Sequence, residues 1–337
     1  MIICRTPFRI SFFGGGTDFP DWYLNTNKGI VINATINKYC FLIIRKLPPI
    51  FDYKYRLRYF NNEYVKNIKD IKHKSIKAVL QKYHPSDFEL ELVHNADLPA
   101  LSGLGASSAF TVSLINSLNR LYNNQKLSKH DLALKAIDIE QNILSEYVGS
   151  QDQFSCAYGG LNLIKFMKKK IDVSKIKISN KNISLLEKNI ILFFTGIQRK
   201  AQHVEKDKIS KVKRNKNNLD EIYELTREAK KIFLNKVFDL KSLAKLLNES
   251  WLLKKSLSSK VTNTTIDSLY SMGMANGALG GKILGAGGGG FMMFLVPNIN
   301  VKKKLIKKLD KFTSISIKFD FEGSKIIHES ENDNFNE

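Results

Sequence analysis

Cysteine is scarce in this chain: Cys4, Cys40 and Cys156 are the only three among 337 residues. An odd number with no pair at metal-ligand spacing excludes a disulfide scaffold and a cysteine-held zinc site, and reads as ordinary reduced thiols. Long apolar runs are missing too; clean stretches such as 291–296 are far too short to span a bilayer. The opening Met1-Ile2-Ile3-Cys4-Arg5 has no basic segment followed by an apolar one, so no secretory signal is expected. Acidic residues are in deficit, 32 against 53 Lys and Arg, which leaves a formal net charge of +21. Lysine is spread over nearly the whole chain, densest at 165–177, 206–216 and 302–311, and no nucleic-acid-binding pattern accompanies it. These runs read as solvated basic faces, whose diffuse field also attracts anionic substrates. The expectation is a cytoplasmic protein with neither membrane nor nucleic acid as partner.

What the chain does hold is a 43% share of hydrophobic residues, enough for one large domain or two. Segments 30–36, 39–44, 88–93 and 161–166 carry the apolar patterning of strands. Apolar residues at helical spacing predict a helix over 107–122, and Ser128 is placed to cap another running to about Glu146. The lysine-rich stretch 168–188 reads as a domain boundary. Beyond it follow a strand at 189–195, helices near 216–235, 239–257 and 262–275, a glycine-rich loop, a strand at 291–296, a helix near 301–311 and a last strand at 314–321. The domains are thus expected at 1–185 and 186–328, with a polar tail at 329–337.

Three loops carry chemistry. In Pro99-Ala100-Leu101-Ser102-Gly103-Leu104-Gly105-Ala106-Ser107-Ser108-Ala109, glycines between a strand and a helix let backbone N–H groups approach a ligand. The helix N-terminus behind them offers unpaired donors and a partial positive charge, the makings of a phosphate cradle. Ser107 and Ser108 add hydroxyls for phosphate oxygen or Mg²⁺; the alternative is a tight turn with Ser107 as helix cap. No Walker loop exists, and Ser108 stands where a Rossmann fingerprint needs its third glycine. A second loop, Gly280-Gly281-Lys282-Ile283-Leu284-Gly285-Ala286-Gly287-Gly288-Gly289-Gly290, lies between a helix and a strand, the reverse of dinucleotide-site order. Glycine this dense means backbone pressed against a ligand or a packed neighbour. The third, Arg5-Thr6-Pro7-Phe8-Arg9-Ile10-Ser11-Phe12-Phe13-Gly14-Gly15-Gly16-Thr17-Asp18, runs a strand into a glycine turn. Its carboxylate suits sugar hydroxyls or an Asx-turn.

Together, in order and spacing, these loops resemble the three motifs of the GHMP kinases, over residues 3–327. The first motif lacks the Glu and His of galactokinase-like members. It is similar to the branch of bacterial D-glycero-D-manno-heptose 7-phosphate kinases, with L-fucokinase-type enzymes next. The resemblance implies an α+β fold: a ribosomal-protein-S5-like N-terminal domain and a ferredoxin-like C-terminal α/β sandwich. It implies ATP and Mg²⁺ as cofactors and phosphoryl transfer to the anomeric hydroxyl of heptose 7-phosphate, for nucleotide-activated heptose and surface polysaccharide.

By that resemblance Ser102, Gly103, Leu104, Gly105, Ala106, Ser107, Ser108, Gly287 and Gly288 hold ATP. Ser108 and Glu140 hold the metal, with Glu146 as the alternative and Asp138 on another face of the helix. Asp152 is the catalytic carboxylate and Arg9 its basic neighbour. Gly15, Gly16, Thr17 and Asp18 face the sugar. For the substrate's own phosphate, Arg199 and Lys200 are the first candidates, with Lys28 and Lys282 behind them; a guanidinium's bidentate grip favours Arg199. A homodimer is the oligomeric expectation. The competing readings are a fucokinase-like enzyme, a non-catalytic sugar sensor on the same fold, and a basic nucleic-acid-binding protein.

Overall fold

The computed structural model of the protein describes residues 1–83, 89–123, 126–198 and 202–330. The chain opens with β1 (Ile2–Phe13), α1 (Pro20–Thr26), β2 (Gly29–Lys46), and the short pair β3 (Tyr55–Arg58) and β4 (Asn62–Val65). Next come α2 (Lys74–Tyr83), β5 (Leu90–Ala96), α3 (Ala106–Asn123), α4 (Lys129–Ile137), α5 (Gln151–Tyr158), β6 (Leu161–Phe166) and β7 (Ile171–Lys175). The second half holds α6 (Asn180–Asn189), β8 (Ile190–Phe194), α7 (Gln202–Ser210), α8 (Lys216–Leu234), α9 (Leu240–Ser256) and α10 (Thr264–Ala275). It ends with β9 (Gly280–Ile283), β10 (Phe291–Leu295), α11 (Ile299–Lys308), β11 (Ser314–Ile315) and β12 (Lys325–Glu329). Among the described residues no helix is long and apolar enough to cross a membrane.

Two sheets organise the molecule. The larger runs β12-β1-β2-β5-β3-β4, with β6 and β7 branching from β2; the smaller runs β11-β8-β10-β9. The branch exists because β2 is 18 residues long and changes partner along its length. Its first part, Gly29 to Ala34, pairs with β6, and its last part, Cys40 to Lys46, pairs with β5. Residues 30–36 and 39–44, read from sequence as two strands, are therefore one. The interruption between them is a register shift against β1, where Pro7 faces Tyr39 but Arg9 already faces Thr35. Proline lacks an N–H for the ladder, and a bulge there bends the sheet and re-aims the following side chain. That side chain is Arg9.

The stretch 168–188, expected to divide two domains, contains β7 and most of α6, and the second sheet starts just past it at β8. Other expectations are corrected. The strand expected at 314–321 is only two residues long, followed by a lone bridge from Phe319 to Ile36. The chain then returns to the first sheet as β12, antiparallel to β1. Helix α7 and strand β9 were not anticipated. Residues 331–337 of the expected polar tail lie outside the described residues. The helix capped by Ser128 does start there, the serine accepting from the Asp131 N–H.

The core sits where the halves meet. Phe12 of β1 is fully buried, edge-on to Phe233 of α8 at 5.6 Å and to Phe319 at 6.4 Å. Helix α3 packs beneath β1 and β2. The three cysteines are free thiols, all buried. Because Phe12 joins elements from both ends of the chain, Phe12→Ala is expected to cost about 3–5 kcal/mol. Urea unfolding will show it as a lower midpoint with an unchanged slope.

Candidate active site

The phosphate loop lies between β5 and α3. Gly103 and Gly105 have φ of +78° and +75°, conformations that favour glycine. A Cβ on Gly103 would fall 2.7 Å from the Leu284 carbonyl oxygen, and one on Gly285 only 2.6 Å from the Gly103 Cα. The glycine loop after β9 thus seats directly against the phosphate loop, and the Phe291 N–H donates to the Ser102 carbonyl at 3.2 Å. The first-turn N–H groups of α3 are the donors that an α-helix leaves unpaired at its start. Ser102, Gly103, Gly105, Ala106, Ser107 and Ser108 all line the cleft beside them.

Arg9 enters the cleft from β1. Its Nε donates to Asp152 Oδ1 at 2.7 Å, its Nη2 to Oδ2 at 2.5 Å, and its Nη1 to the Gly103 carbonyl at 2.6 Å. The fork-to-carboxylate geometry fixes both partners at once. Arg9 is 4% exposed, whereas the Asp152 side chain keeps 22% on the open side. Asp152 is in the first turn of α5.

Glu140 is reached by a local change of helix type. After α4 the chain widens into a π-helical turn, Asp138–Ile143, a feature frequent at functional sites. Asp138 stays at the surface, paired with Lys82, while Glu140 is buried. Glu140 Oε2 accepts from Ser108 Oγ at 2.9 Å and from Gln153 Nε2 at 2.5 Å; its Oε1 has no partner. Burial pushes its pKa up to about 7, although Gln153, Thr111 and Ser108 all act to lower it. Glu146 does not line the cleft.

Asp18 closes the far side. Its Oδ1 accepts from the Gly16 N–H at 2.9 Å and its Oδ2 from Gln151 Nε2 at 3.0 Å. Gly149 must lack a side chain because a Cβ would lie 2.0 Å from Asp18 Oδ2. Burial, offset by the Gly16 N–H, raises Asp18 to about 6, with Asp152 and Glu205 adding repulsion. Gly15 and Gly16 line the cleft next to it.

Other expected residues are elsewhere. Thr17 is buried, its hydroxyl bridging the Gly14 and Ile30 carbonyls, and so shapes the turn. Leu104 points into the core. Gly287 and Gly288 pack on Val261, the Gly288 N–H donating to its carbonyl; Gly285 and Ala286 are the members of that loop that reach the cleft. Lys28 is exposed and paired with Asp220 at 3.3 Å. Lys282 is buried behind the cleft, donating to the Phe12 carbonyl at 2.8 Å. Arg199 and Lys200 lie outside the described residues. Among the described residues the cations that do line the cleft, besides Arg9, are Lys208 and Lys254, with Glu205 and Gln151 beside them. None of these four was anticipated. One signal was present: Lys254 is in register with the buried stripe of α9, three and seven residues after Trp251 and Leu247.

The family description "GHMP kinases N terminal domain" matches residues 69–160, and "GHMP kinases C terminal" matches 224–313. A D-glycero-alpha-D-manno-heptose 7-phosphate kinase of Campylobacter jejuni is 34% identical, over 91% of this chain and 92% of that protein. A bifunctional fucokinase/GDP-fucose pyrophosphorylase of Arabidopsis thaliana is 24% identical over 93% of this chain and 31% of its own. Among solved structures, a D-glycero-D-manno-heptose 1-phosphate kinase from Bacteroides thetaiotaomicron superposes with a TM-score of 0.79 at 20% identity, covering 98% of this chain and all of that one.

The raised Asp18 pKa makes a signed prediction. Between the ordinary 3.8 and about 6 the native state holds a proton that the unfolded chain has released, so stability falls as pH rises through that window. Asp18→Asn removes the burden, and the partnerless Gln151 Oε1 can turn to accept from the new amide. The variant should be more stable than the parent by on the order of 2–3 kcal/mol above pH 6, the gap closing below about pH 4. Denaturant titrations from pH 4 to 8 check this, and a constant difference across that range would refute it.

Proposed function

The chain belongs to the GHMP kinase family and is an ATP-dependent sugar kinase; on that premise we propose that its acceptor is D-glycero-D-manno-heptose 7-phosphate, phosphorylated at the anomeric hydroxyl to the 1,7-bisphosphate. Full-length similarity to the Campylobacter jejuni kinase supports the acceptor. The bidentate Arg9–Asp152 pair at the end of the phosphate loop is the observation that carries the chemistry.

In this reading the N–H groups at the start of α3, with Ser107 and Ser108, hold the ATP phosphates. Asp18 accepts hydrogen bonds from sugar hydroxyls. Asp152 takes the proton from the anomeric hydroxyl as its oxygen bonds to the γ-phosphorus; the bond to the β-phosphate bridging oxygen breaks, and ADP leaves. Arg9 orients Asp152 and faces the charge on the transferred group.

The residues present also fit Mg²⁺. Ser108 Oγ and the unpartnered Glu140 Oε1 are hard oxygen donors side by side, and Mg²⁺ takes one or two protein oxygens, leaving its other positions to phosphates and water. When bound there, the ion neutralises charge on the phosphates. The nucleotide-activated heptose and surface polysaccharide expected downstream are part of this proposal.

ADP release measured on heptose 7-phosphate, unphosphorylated heptose and L-fucose tests the acceptor: heptose 7-phosphate should have the highest kcat/KM, and preference for fucose would overturn the assignment. Asp152→Asn should lower kcat by roughly 10²–10⁴-fold with ATP binding retained. Glu140→Gln should raise the Mg²⁺ concentration for half-maximal rate by about 10- to 100-fold.

A further inference from the structure

Three lysines are buried around the cleft: Lys208 of α7, Lys254 of α9 and Lys282 of β9 are 6%, 7% and 3% exposed. A buried ammonium is costly unless a counter-charge meets it. Arg9 has Asp152, and Lys208 has Glu205 at 3.1 Å together with the Ala286 carbonyl at 2.7 Å. Lys254 has only carbonyl oxygens, those of Ile283 at 2.9 Å and Gly285 at 2.5 Å. Among the described residues, Lys254 is the cation lining the cleft that forms no ion pair of its own, Glu205 acting on it only from beyond contact distance. An ammonium carries three N–H donors, so Lys208 and Lys254 each keep one uncommitted.

We propose that Lys254 and Lys208 form a second anion subsite in the cleft, one that takes the acceptor's own phosphate.

The donor's phosphates already have a built site: the start of α3, Ser108 with Glu140, and Arg9. The two lysines come from other elements, α7 and α9, and are held by the adjacent carbonyls of Gly285 and Ala286, with Glu205 paired to Lys208. A dianionic phosphate set against both ammoniums supplies the missing counter-charge, and charge-assisted bonds to phosphate are among the strong ones. The titration behaviour agrees. Burial lowers the Lys254 ammonium well below its ordinary range, with Lys282 and Lys208 adding repulsion, and burial followed by Lys208 lowers Lys282 to about 7. An anion among them reverses both tendencies. Glu205 works against the anion and limits the subsite to a ligand that carries enough charge to reward both lysines.

The inference rests on the acceptor being a sugar phosphate, and the test separates the two ideas. Lys254→Met and Lys208→Met keep length and remove charge; an undiminished melting temperature establishes that they fold. The subsite predicts that the kcat/KM preference for heptose 7-phosphate over unphosphorylated heptose falls about 10- to 100-fold in Lys254→Met, through KM for the sugar phosphate, while KM for ATP moves less than twofold. Equal losses on both acceptors through kcat would assign the lysines to the transferred phosphoryl group and overturn the proposal, as would an unchanged preference. If the parent protein releases no ADP with heptose 7-phosphate, the acceptor assignment fails instead. Calorimetry with inorganic phosphate, on protein saturated with a non-hydrolysable ATP analogue and Mg²⁺, then decides the subsite alone: binding lost in Lys254→Met upholds it, and no binding by the parent ends it.

Discussion

Gly103 and Gly285 meet backbone to backbone, and the cleft exists because they do. A Cβ at either position would fall within 2.7 Å of the other loop. That closeness turns two sets of carbonyl oxygens toward the same space. The Gly103 carbonyl receives Arg9, that of Gly285 receives Lys254, and that of Ala286 receives Lys208. The cations of the cleft are therefore positioned by the main chain of two loops, one from each half of the molecule. Side chains can be exchanged singly; this contact between loops cannot be widened without moving all three cations together.

The same compactness sets an electrostatic tension. Asp18 and Glu140 are carboxyls that burial disfavours as anions, and Lys254 and Lys282 are ammoniums that burial disfavours as cations. Each lowers the stability of the folded chain at neutral pH, and Asp18, Glu140 and Lys254 line the cleft while Lys282 lies behind it. Local rules of foldability are broken where chemistry is done. Hydrophobic contacts such as Phe12 against Phe233 and Phe319 offset the cost.

How much of this was legible beforehand varied with the range of the interaction responsible. Ser128 capping α4, the start of α3 and the helices α8 to α10 depend on neighbours within a few residues, and local pattern located them well. The single long β2 and the return of β12 beside β1 depend on strand partners far off in the chain, and local pattern broke the first in two and missed the second. Glu140 was picked by resemblance, but its burial comes from a π-helical turn that no 3.6-residue period anticipates. The glycine loop was split between both readings offered for it: Gly285 and Ala286 reach the cleft, while Gly287 and Gly288 pack on Val261.

The sequence by itself located the three loops of the cleft, because glycine turns, helix starts and apolar spacing are written in contiguous residues, and the resemblance of those loops to known motifs implied the family and the α+β class. Apart from Arg9, expected beside Asp152 by resemblance, only the tertiary structure decided which of the described basic residues enter the cleft. Lys28 turned outward to Asp220, and Lys208 and Lys254 turned inward to carbonyl oxygens. Helical register can say that position 254 faces the interior. What an ammonium meets there is fixed by the packing of α7, α9 and the glycine loop, and so by long-range contacts that no local pattern of lysines encodes.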